Sequence, residues 1–194
     1  MNLYYTPRSH FSRKSRILLD ALGISFDLID VGNVAESSAD IFGPNPLLKV
    51  PTLVDHDRTV FESDHIAQYL VRQYDPGDRY SVLTSNIEHL KARAVMNGVM
   101  AAEVELILAD RTGIDTVAYS RFEKIRGSII HGLAWLEKHS EIFPIQPSYL
   151  GFHLISMWDH LALYKLLSLD YYPRLNSRIE ALSKISYIAS STPL

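Results

Sequence analysis

Hydroxyl and carboxylate side chains stand at points where the sequence predicts an element to begin or end. Tyr5 closes a short aromatic β-type run, Ser9 precedes the first helical pattern, and Glu62 and Ser63 open a later one. The free N–H groups and the positive dipole end at the start of a helix favour an anion, so Glu62 and Ser63 form a candidate anion site. Ser9 and Tyr5 are candidate hydroxyl donors, with a helix cap and a core aromatic as the structural alternatives.

Composition excludes several classes of function. The chain has 194 residues and no cysteine, which excludes a disulfide framework, a zinc–thiolate site and any mechanism that uses a protein thiol. The net charge is −3 and the lysines and arginines are scattered singly, so the sequence shows no basic cluster that would favour nucleic-acid binding. No window approaches the roughly 20 apolar residues of a membrane span, and the first residues lack a secretory signal. We therefore expect a soluble cytoplasmic protein that binds neither nucleic acid nor membrane.

The first part of the chain alternates strand and helix patterns. Its predicted elements, in order, are a strand over 2–5, a helix over 9–22 ending at Gly23, a strand over 26–30, a hairpin of 52–55 and 59–61, and a helix from 62 to 74. The segment between the second strand and the hairpin carries only weak helical signal.

Strand patterns end near residue 75, and long helical periodicities begin near residue 85. One helix is predicted over 85–110, and apolar residues spaced by three and four from Phe122 to Leu136 predict a second, antiparallel to it. Ser156 and Asp159 are interpreted as a variant capping box that starts a buried helix running through Leu167. The change of pattern predicts an α/β domain over 1–76 and an all-α domain over 85–194, packed together.

In order and spacing these patterns resemble the glutathione transferase family. The resemblance rests on the opening segment from Leu3, the Asn-Pro-Leu-Leu-Lys-Val-Pro segment that ends at Pro51, the Glu-Ser-Asp that starts at Glu62, and the stretch from Gly151 to Asp159. Each motif is weak by itself, but the combination is specific and covers essentially the whole chain. It implies a thioredoxin-like N-terminal domain that binds glutathione, an all-helical C-terminal domain, and a homodimer.

The resemblance also implies roles for individual residues. Pro51 takes the place of the family's cis proline, with Lys49 and Val50 beside it in the glutathione site. The backbone N–H and C=O of Val50 would pair with the cysteinyl part of the ligand as an added strand. Ser63 would hold the γ-glutamyl carboxylate of glutathione, and Glu62 would accept a hydrogen bond from the ammonium group of glutathione.

The reacting atom implied by the resemblance is the sulfur of glutathione, because a thiolate is the nucleophile and the ordinary cysteine pKa is about 8.5. Ser9 matches the serine-type members of the family and Tyr5 the tyrosine-type members, and we favour Ser9. His10 stands where similar members carry proline or cysteine, and its role is open. Leu48 replaces a common small residue of the groove.

The resemblance implies a small hydrophobic electrophile as second substrate, bound between the domains against residues of the long helices such as Met96, Met100, Glu103 and Tyr119. The alternative is that these residues belong to the core, because methionine and aromatic residues at helical spacing are more often core than pocket. The histidines, His160 included, show no metal-ligand spacing with nearby acids, so we expect no metal. The implied activity is transfer of glutathione to this electrophile, or a related glutathione-dependent peroxidase or isomerase reaction. The alternative is a non-catalytic binding or regulatory protein of the same fold, because fold does not imply function.

Overall fold

Four short strands form one mixed sheet in the computed structural model, which describes residues 1–35 and 38–193. They are β1 Asn2–Tyr5, β2 Asp27–Asp30, β3 Thr52–Asp55 and β4 Arg58–Phe61. The strand order is β2-β1-β3-β4, with β1 parallel to β2 and the other pairs antiparallel. Leu3, which pairs with Leu28 on one side and Leu53 on the other, is fully buried because it occupies the centre of this sheet.

Two helices, α1 His10–Leu22 and α2 Ser63–Tyr74, pack against each other and against the sheet. Ser9 caps α1, and Gly23 ends it in the left-handed region at φ 70°, where a residue without Cβ has no steric cost. The sequence allowed either Ser9 or Ser12 as the N-cap, and the structure has Ser9 there, while the end at Gly23 lies where it was predicted. Sheet and helices together form the predicted thioredoxin-like α/β domain.

The rest of the chain is predominantly helical. Its helices are α3 Ile87–Arg111, α4 Ser120–Lys138, α5 Tyr149–Tyr164, α6 Pro173–Leu182 and α7 Ser186–Ala189, and 3-10 turns lie at Ala39–Phe42 and Ser140–Ile142. Val99 lies beside Gly132, and Arg121 donates to Glu105 at 3.0 Å, so α3 and α4 run antiparallel as predicted. Among the described residues, no helix has both the length and the hydropathy needed to cross a membrane.

The capping box predicted at Ser156 and Asp159 is wrong, because α5 begins a full two turns earlier. Ser148 is the N-cap, and its side chain accepts from the N–H of Gly151 at 3.2 Å. Ser156 instead lies in mid-helix and donates to the Phe152 carbonyl at 2.7 Å. The sequence predicts a Pro-containing loop over 143–151, which would leave Gly151 outside the helix.

The physical reason for Gly151 is the packing of α6. A Cβ at this position would lie 3.3 Å from the Leu182 side chain, so glycine permits the close approach of the two helices. The glycine therefore serves helix packing and does not mark a loop.

The two parts of the chain are joined by a charged network around Asp64, the second residue of α2. Its carboxylate accepts from Lys14 Nζ of α1 at 3.0 Å, from Asn97 Nδ2 of α3 at 2.7 Å and from the Tyr149 hydroxyl of α5 at 2.8 Å. Arg93 Nη2 lies 3.3 Å away from the same carboxylate. A single carboxylate thus connects four helices.

Burial and the neighbouring charges shift the pKa values of Asp64 and Lys14 in opposite directions. Burial by itself would raise the pKa of Asp64, but Lys14 and the neighbouring Arg93 hold that pKa well below its ordinary value. Burial lowers the pKa of Lys14 to about 8, with Asp64 opposing the shift. The network is therefore ionised at neutral pH and depends on each charge having its counter-charge.

The first prediction concerns the variant Asp64→Asn, which leaves Lys14 and Arg93 without their counter-charge. We expect the free energy of unfolding in urea to fall by about 2–4 kcal/mol. This is less than the roughly 3–5 kcal/mol of a fully buried pair, because the Asp64 side chain is 24% exposed. Asp57→Asn, at an exposed turn position, is the matched control and should change stability by less than about 0.5 kcal/mol. Equal stability of the two variants would contradict the prediction.

The second prediction is the pH dependence of that comparison. A carboxylate whose pKa is lowered by folding adds stability above its unfolded pKa of about 3.9 and loses it as the pH falls. Lys14, with a pKa of about 8, stays charged across this acid range. We expect the advantage of the wild type over Asp64→Asn to be complete near pH 7 and to shrink below about pH 5. Urea titrations across this range measure it, and an advantage that grows on acidification would show that the sign is wrong.

Candidate active site

A cavity of about 960 Å³ opens between the α/β domain and helices α3 and α5. Its volume lies near the upper end of the roughly 300–1,000 Å³ typical of small-molecule sites. The cavity is lined by every residue predicted for the glutathione site: Ser9, Lys49, Val50, Pro51, Glu62 and Ser63. The fold therefore brings together side chains and backbone from three separate segments of the sequence.

The start of α1 contributes Ser9 to the cavity. Ser9 Oγ accepts from the Ser12 N–H at 3.1 Å, which is the helix-cap role that the sequence also allowed. That bond uses only an oxygen lone pair, so the hydroxyl proton is not consumed by the cap. Tyr5 is half-buried at the end of β1, packs against the core, and is not among the lining residues. Of the two hydroxyl candidates, only Ser9 lies at the cavity.

The loop before β3 forms the edge of the cavity next to the sheet. The Val50–Pro51 peptide bond is cis, as the resemblance implied. Asn45, 4% exposed, donates from Nδ2 to the Lys49 carbonyl at 2.8 Å and to Thr52 Oγ1 at 3.0 Å. Asn45 therefore holds the loop in place, a positioning role that its sequence motif did not reveal.

Helix α2 points its N-terminus into the same cavity. Glu62 is exposed and Ser63 is buried, and both residues line the cavity together with Asp64. The first N–H groups of a helix have no acceptor within it, and the helix dipole adds positive potential there. Since the Asp64 side chain is engaged in the charged network, the start of α2 is fixed and its N–H groups stay available to an anion.

The wall formed by α3 differs from the prediction. Met96, Met100 and Glu103 are fully buried, Tyr119 is exposed, and none of these four residues lines the cavity. The lining positions lie one residue further along the helix, on the face formed by Asn97, Ala101, Val104 and Leu108. The spacing predicted on α3 was right, but the face assigned to the cavity was wrong. The methionines fill the core, and the smaller side chains next to them face the cavity.

Three side chains that had no shared role in the sequence meet beside the cavity. His10, Glu103 and His160 are all buried, and their ligand atoms lie within 4.8 Å of one another. Burial raises the pKa of Glu103 well above its ordinary value, and burial with the Arg111 charge lowers the pKa of His160 to about 4. No sequence motif signals this group, since Glu103 and His160 are 57 positions apart.

Sequence comparison identifies the first domain. Residues 3–78 match the family model described as Glutathione S-transferase, N-terminal domain. Over 74 residues, 38% of this chain, the sequence is 36% identical to the Stringent starvation protein A homolog of Coxiella burnetii. The match spans 35% of that relative, so the chain aligns with about a third of its length.

Solved structures match over nearly the whole chain. A glutathione S-transferase of Methylobacterium radiotolerans in complex with glutathione sulfonate gives a TM-score of 0.83 at 21% identity, covering 99% of this chain and 94% of that one. One of Methylobacillus flagellatus with glutathione bound gives 0.83 at 22% identity, covering 100% and 99%. Residues 3–78 therefore match the N-terminal domain of glutathione S-transferases, and the chain as a whole has the fold of these solved glutathione S-transferases.

Proposed function

We propose that the protein is a glutathione transferase that joins the thiolate of glutathione to a small hydrophobic electrophile in the cavity. The observation that carries the proposal is the convergence on one cavity of all the predicted glutathione-site residues. Ser9, the Lys49–Pro51 loop and the Glu62–Ser63 pair offer a hydroxyl, a backbone edge and an anion site within one cavity.

The three parts of glutathione match three features of the cavity. The γ-glutamyl carboxylate binds the N-terminus of α2 and the Ser63 hydroxyl, while Glu62 accepts from the adjacent ammonium group. The cysteinyl part pairs with the backbone N–H and C=O of Val50 as an added strand. The exposed Lys49 at the rim supplies a cation for the second carboxylate.

The Ser9 hydroxyl donates to the sulfur and stabilises its thiolate. Lowering a thiol pKa by about two units from about 8.5 requires roughly 2.7 kcal/mol, which one hydroxyl donor and the N-terminus of α1 can supply together. Tyr5 lies outside the cavity lining, so we assign the donor role to Ser9. The thiol proton leaves to solvent before the sulfur attacks.

The electrophile occupies the wall formed by α3. Val104 and Leu108 are half-buried there and Ala101 is exposed, which offers an apolar surface opposite the polar loop and helix starts. With a chloronitrobenzene, the sulfur–carbon bond forms and chloride leaves with the bonding electron pair. An apolar aromatic substrate is therefore the class that this wall favours.

We also propose, from the family resemblance, that the protein is a cytoplasmic homodimer in which the first domain of one copy packs against the helices of the other. Its domains in this proposal are residues 1–76 and 85–194. The α/β elements end with α2 at Tyr74, and the next helix, α3, begins at Ile87.

The second candidate function is a non-catalytic binding or regulatory protein. The observation in its favour is that a curated relative matching the first domain is called a stringent starvation protein A homolog. Ser9 also has a purely structural role as the cap of α1, and Leu48 lines the cavity where the family commonly has a smaller residue. Turnover and glutathione binding separate the two candidates.

The third prediction tests the role of Ser9 with the variant Ser9→Gly, because glycine caps a helix nearly as well as serine. We expect conjugation of a chloronitrobenzene to slow by about 100-fold, as when one donor to a developing anion is lost. The pKa of the bound thiol, followed by thiolate absorbance against pH, should return toward about 8.5.

Ser12→Ala is the control for Ser9→Gly. Ser12 lies on the same helix, its buried hydroxyl has no hydrogen-bond partner, and it does not line the cavity. Its turnover should match the wild type. If neither turnover nor calorimetric glutathione binding is observed with the wild type, the enzymatic proposal fails and the regulatory one is favoured.

The fourth prediction concerns the anion site. Ser63→Ala removes a donor to the γ-glutamyl carboxylate, so the Kd for glutathione in calorimetry should rise about tenfold. The kcat at saturating glutathione should change little, because this contact is equally present in the ground state and the transition state. Cysteinylglycine, which lacks the γ-glutamyl group, is the control ligand. An equal loss of affinity for cysteinylglycine would refute the assignment of Ser63.

A further inference from the structure

A buried cluster of two imidazoles and a carboxylate lies beside the cavity. Glu103 Oε1 lies 3.0 Å from His160 Nδ1, and Glu103 Oε2 lies 4.0 Å from His10 Nδ1. The two imidazole rings meet edge to face with centroids 3.9 Å apart. His10 is 2% exposed, Glu103 0% and His160 5%, so bulk water does not solvate the group.

The protein itself does not satisfy the polar atoms of this cluster. Both ring nitrogens of His10 and Oε2 of Glu103 lack a partner in hydrogen-bonding geometry. The Met100 carbonyl lies near enough to His10 to favour its protonated form, although burial outweighs it and the pKa of His10 is well below the ordinary value. Buried polar atoms without partners are rare and costly, so the cluster points to an occupant that supplies the missing contacts.

A proton shared between Glu103 and His160 is a poor occupant, because it satisfies only the contact at 3.0 Å. Oε2 of Glu103 and both ring nitrogens of His10 would still have no hydrogen-bond partner. A cation at the centre would meet the carboxylate and one nitrogen of each histidine together. It would also neutralise the Glu103 carboxylate, whose side chain is fully buried beside the two imidazoles.

We propose that His10, Glu103 and His160 bind a divalent transition-metal ion of the zinc class. Two histidines and one glutamate are a known zinc ligand set, with Zn–N distances of about 2.0–2.1 Å and Zn–O of about 2.0–2.2 Å. Ligand atoms on one ion thus lie at most roughly 4.3 Å apart. Glu103 Oε1 lies 3.0 Å from His160, Glu103 Oε2 lies 4.0 Å from His10, and one ligand atom from each residue lies within 4.8 Å of the others, so a small movement of the side chains brings all three onto one ion.

The donor types of the three groups and their access to the cavity suit a metal ion. Imidazole nitrogen and carboxylate oxygen are both donors that zinc accepts, and histidine ligates as the neutral ring. The Met100 carbonyl near His10 is the type of outer partner that orients a ligating ring. His10 and His160 also line the cavity, so an ion reaches the site from there and its open coordination positions face the cavity.

This site does not depend on glutathione binding, and it revises the expectation from sequence that no metal binds. Near each of these histidines the sequence shows no acid at metal-ligand spacing. The three residues meet only in space, because the carboxylate comes from α3 and the histidines from α1 and α5. The fold supplies the spacing that the sequence lacks.

The fifth prediction is tested by titrating Zn²⁺ into the chelator-treated protein by isothermal calorimetry. We expect one saturable site per chain in the wild type. Glu103→Gln keeps the shape of the side chain and removes its charge, so it should bind zinc more than about 100-fold more weakly, since even outer-shell losses cost about 10–100-fold. His131→Gln, an exposed position on α4, is the matched control and should bind as the wild type does.

Thermal melts of the variants establish that each one folds, and His160→Gln replaces Glu103→Gln if that variant does not. A second readout is the visible spectrum of the Co²⁺-loaded protein, which should show the bands of a low-coordinate nitrogen and oxygen site and lose them in His160→Gln. Absence of a saturable zinc site in the wild type overturns the inference. Equal zinc affinity in Glu103→Gln and His131→Gln also overturns it.

Discussion

The carboxylate of Asp64 is the contact on which the arrangement of the cavity depends. It accepts from Lys14 of α1, Asn97 of α3 and Tyr149 of α5, so one partly buried acid connects the α/β domain to the helices. Because Asp64 follows Ser63 directly, the same contact that joins the two parts also fixes the start of α2 in the cavity wall. Stability and the anion site are therefore coupled through neighbouring residues. The burial of these charges is costly, and it is sustained only because each has a partner.

Helix α1 is held from the helical side as well. Arg13 Nη1 donates to Asp159 of α5 at 2.7 Å and to the Ile155 carbonyl at 3.1 Å, and its Nε donates to Ser191 near the end of the chain at 3.2 Å. Lys14, the next residue, belongs to the Asp64 network. These two adjacent cations anchor the first turns of α1, and with them Ser9 at its start. The cavity thus has a polar wall of loop and helix starts, held rigidly against an apolar wall from α3.

Local sequence signals predicted the elements whose ends are marked by caps and turns. Ser9 and Gly23 mark the ends of α1, and the hairpin and the start of α2 follow from equally local residues. The features of α3 and α5 that were predicted wrongly depend on long-range packing, which local sequence signals do not report. Which residues of α3 face the cavity depends on which of its faces packs against α5. The start of α5 could not be predicted because Gly151 allows the close packing of α6 and does not mark a loop. The Asp159 side chain pairs with Arg13 and does not cap a helix. The cluster of His10 with residues of α3 and α5 exists only in the folded chain, so no spacing rule could reveal it.

The central claim is that a tripeptide thiol lies in the cavity with its acidic end at the start of α2. The most direct measurement is a crystal structure of the protein soaked in millimolar glutathione. We predict a ligand paired with the Val50 backbone, its γ-glutamyl carboxylate on the N–H groups at Ser63 and its sulfur within hydrogen-bond distance of the Ser9 hydroxyl. A cavity without the tripeptide, or a tripeptide whose γ-glutamyl end lies away from α2, would contradict the claim.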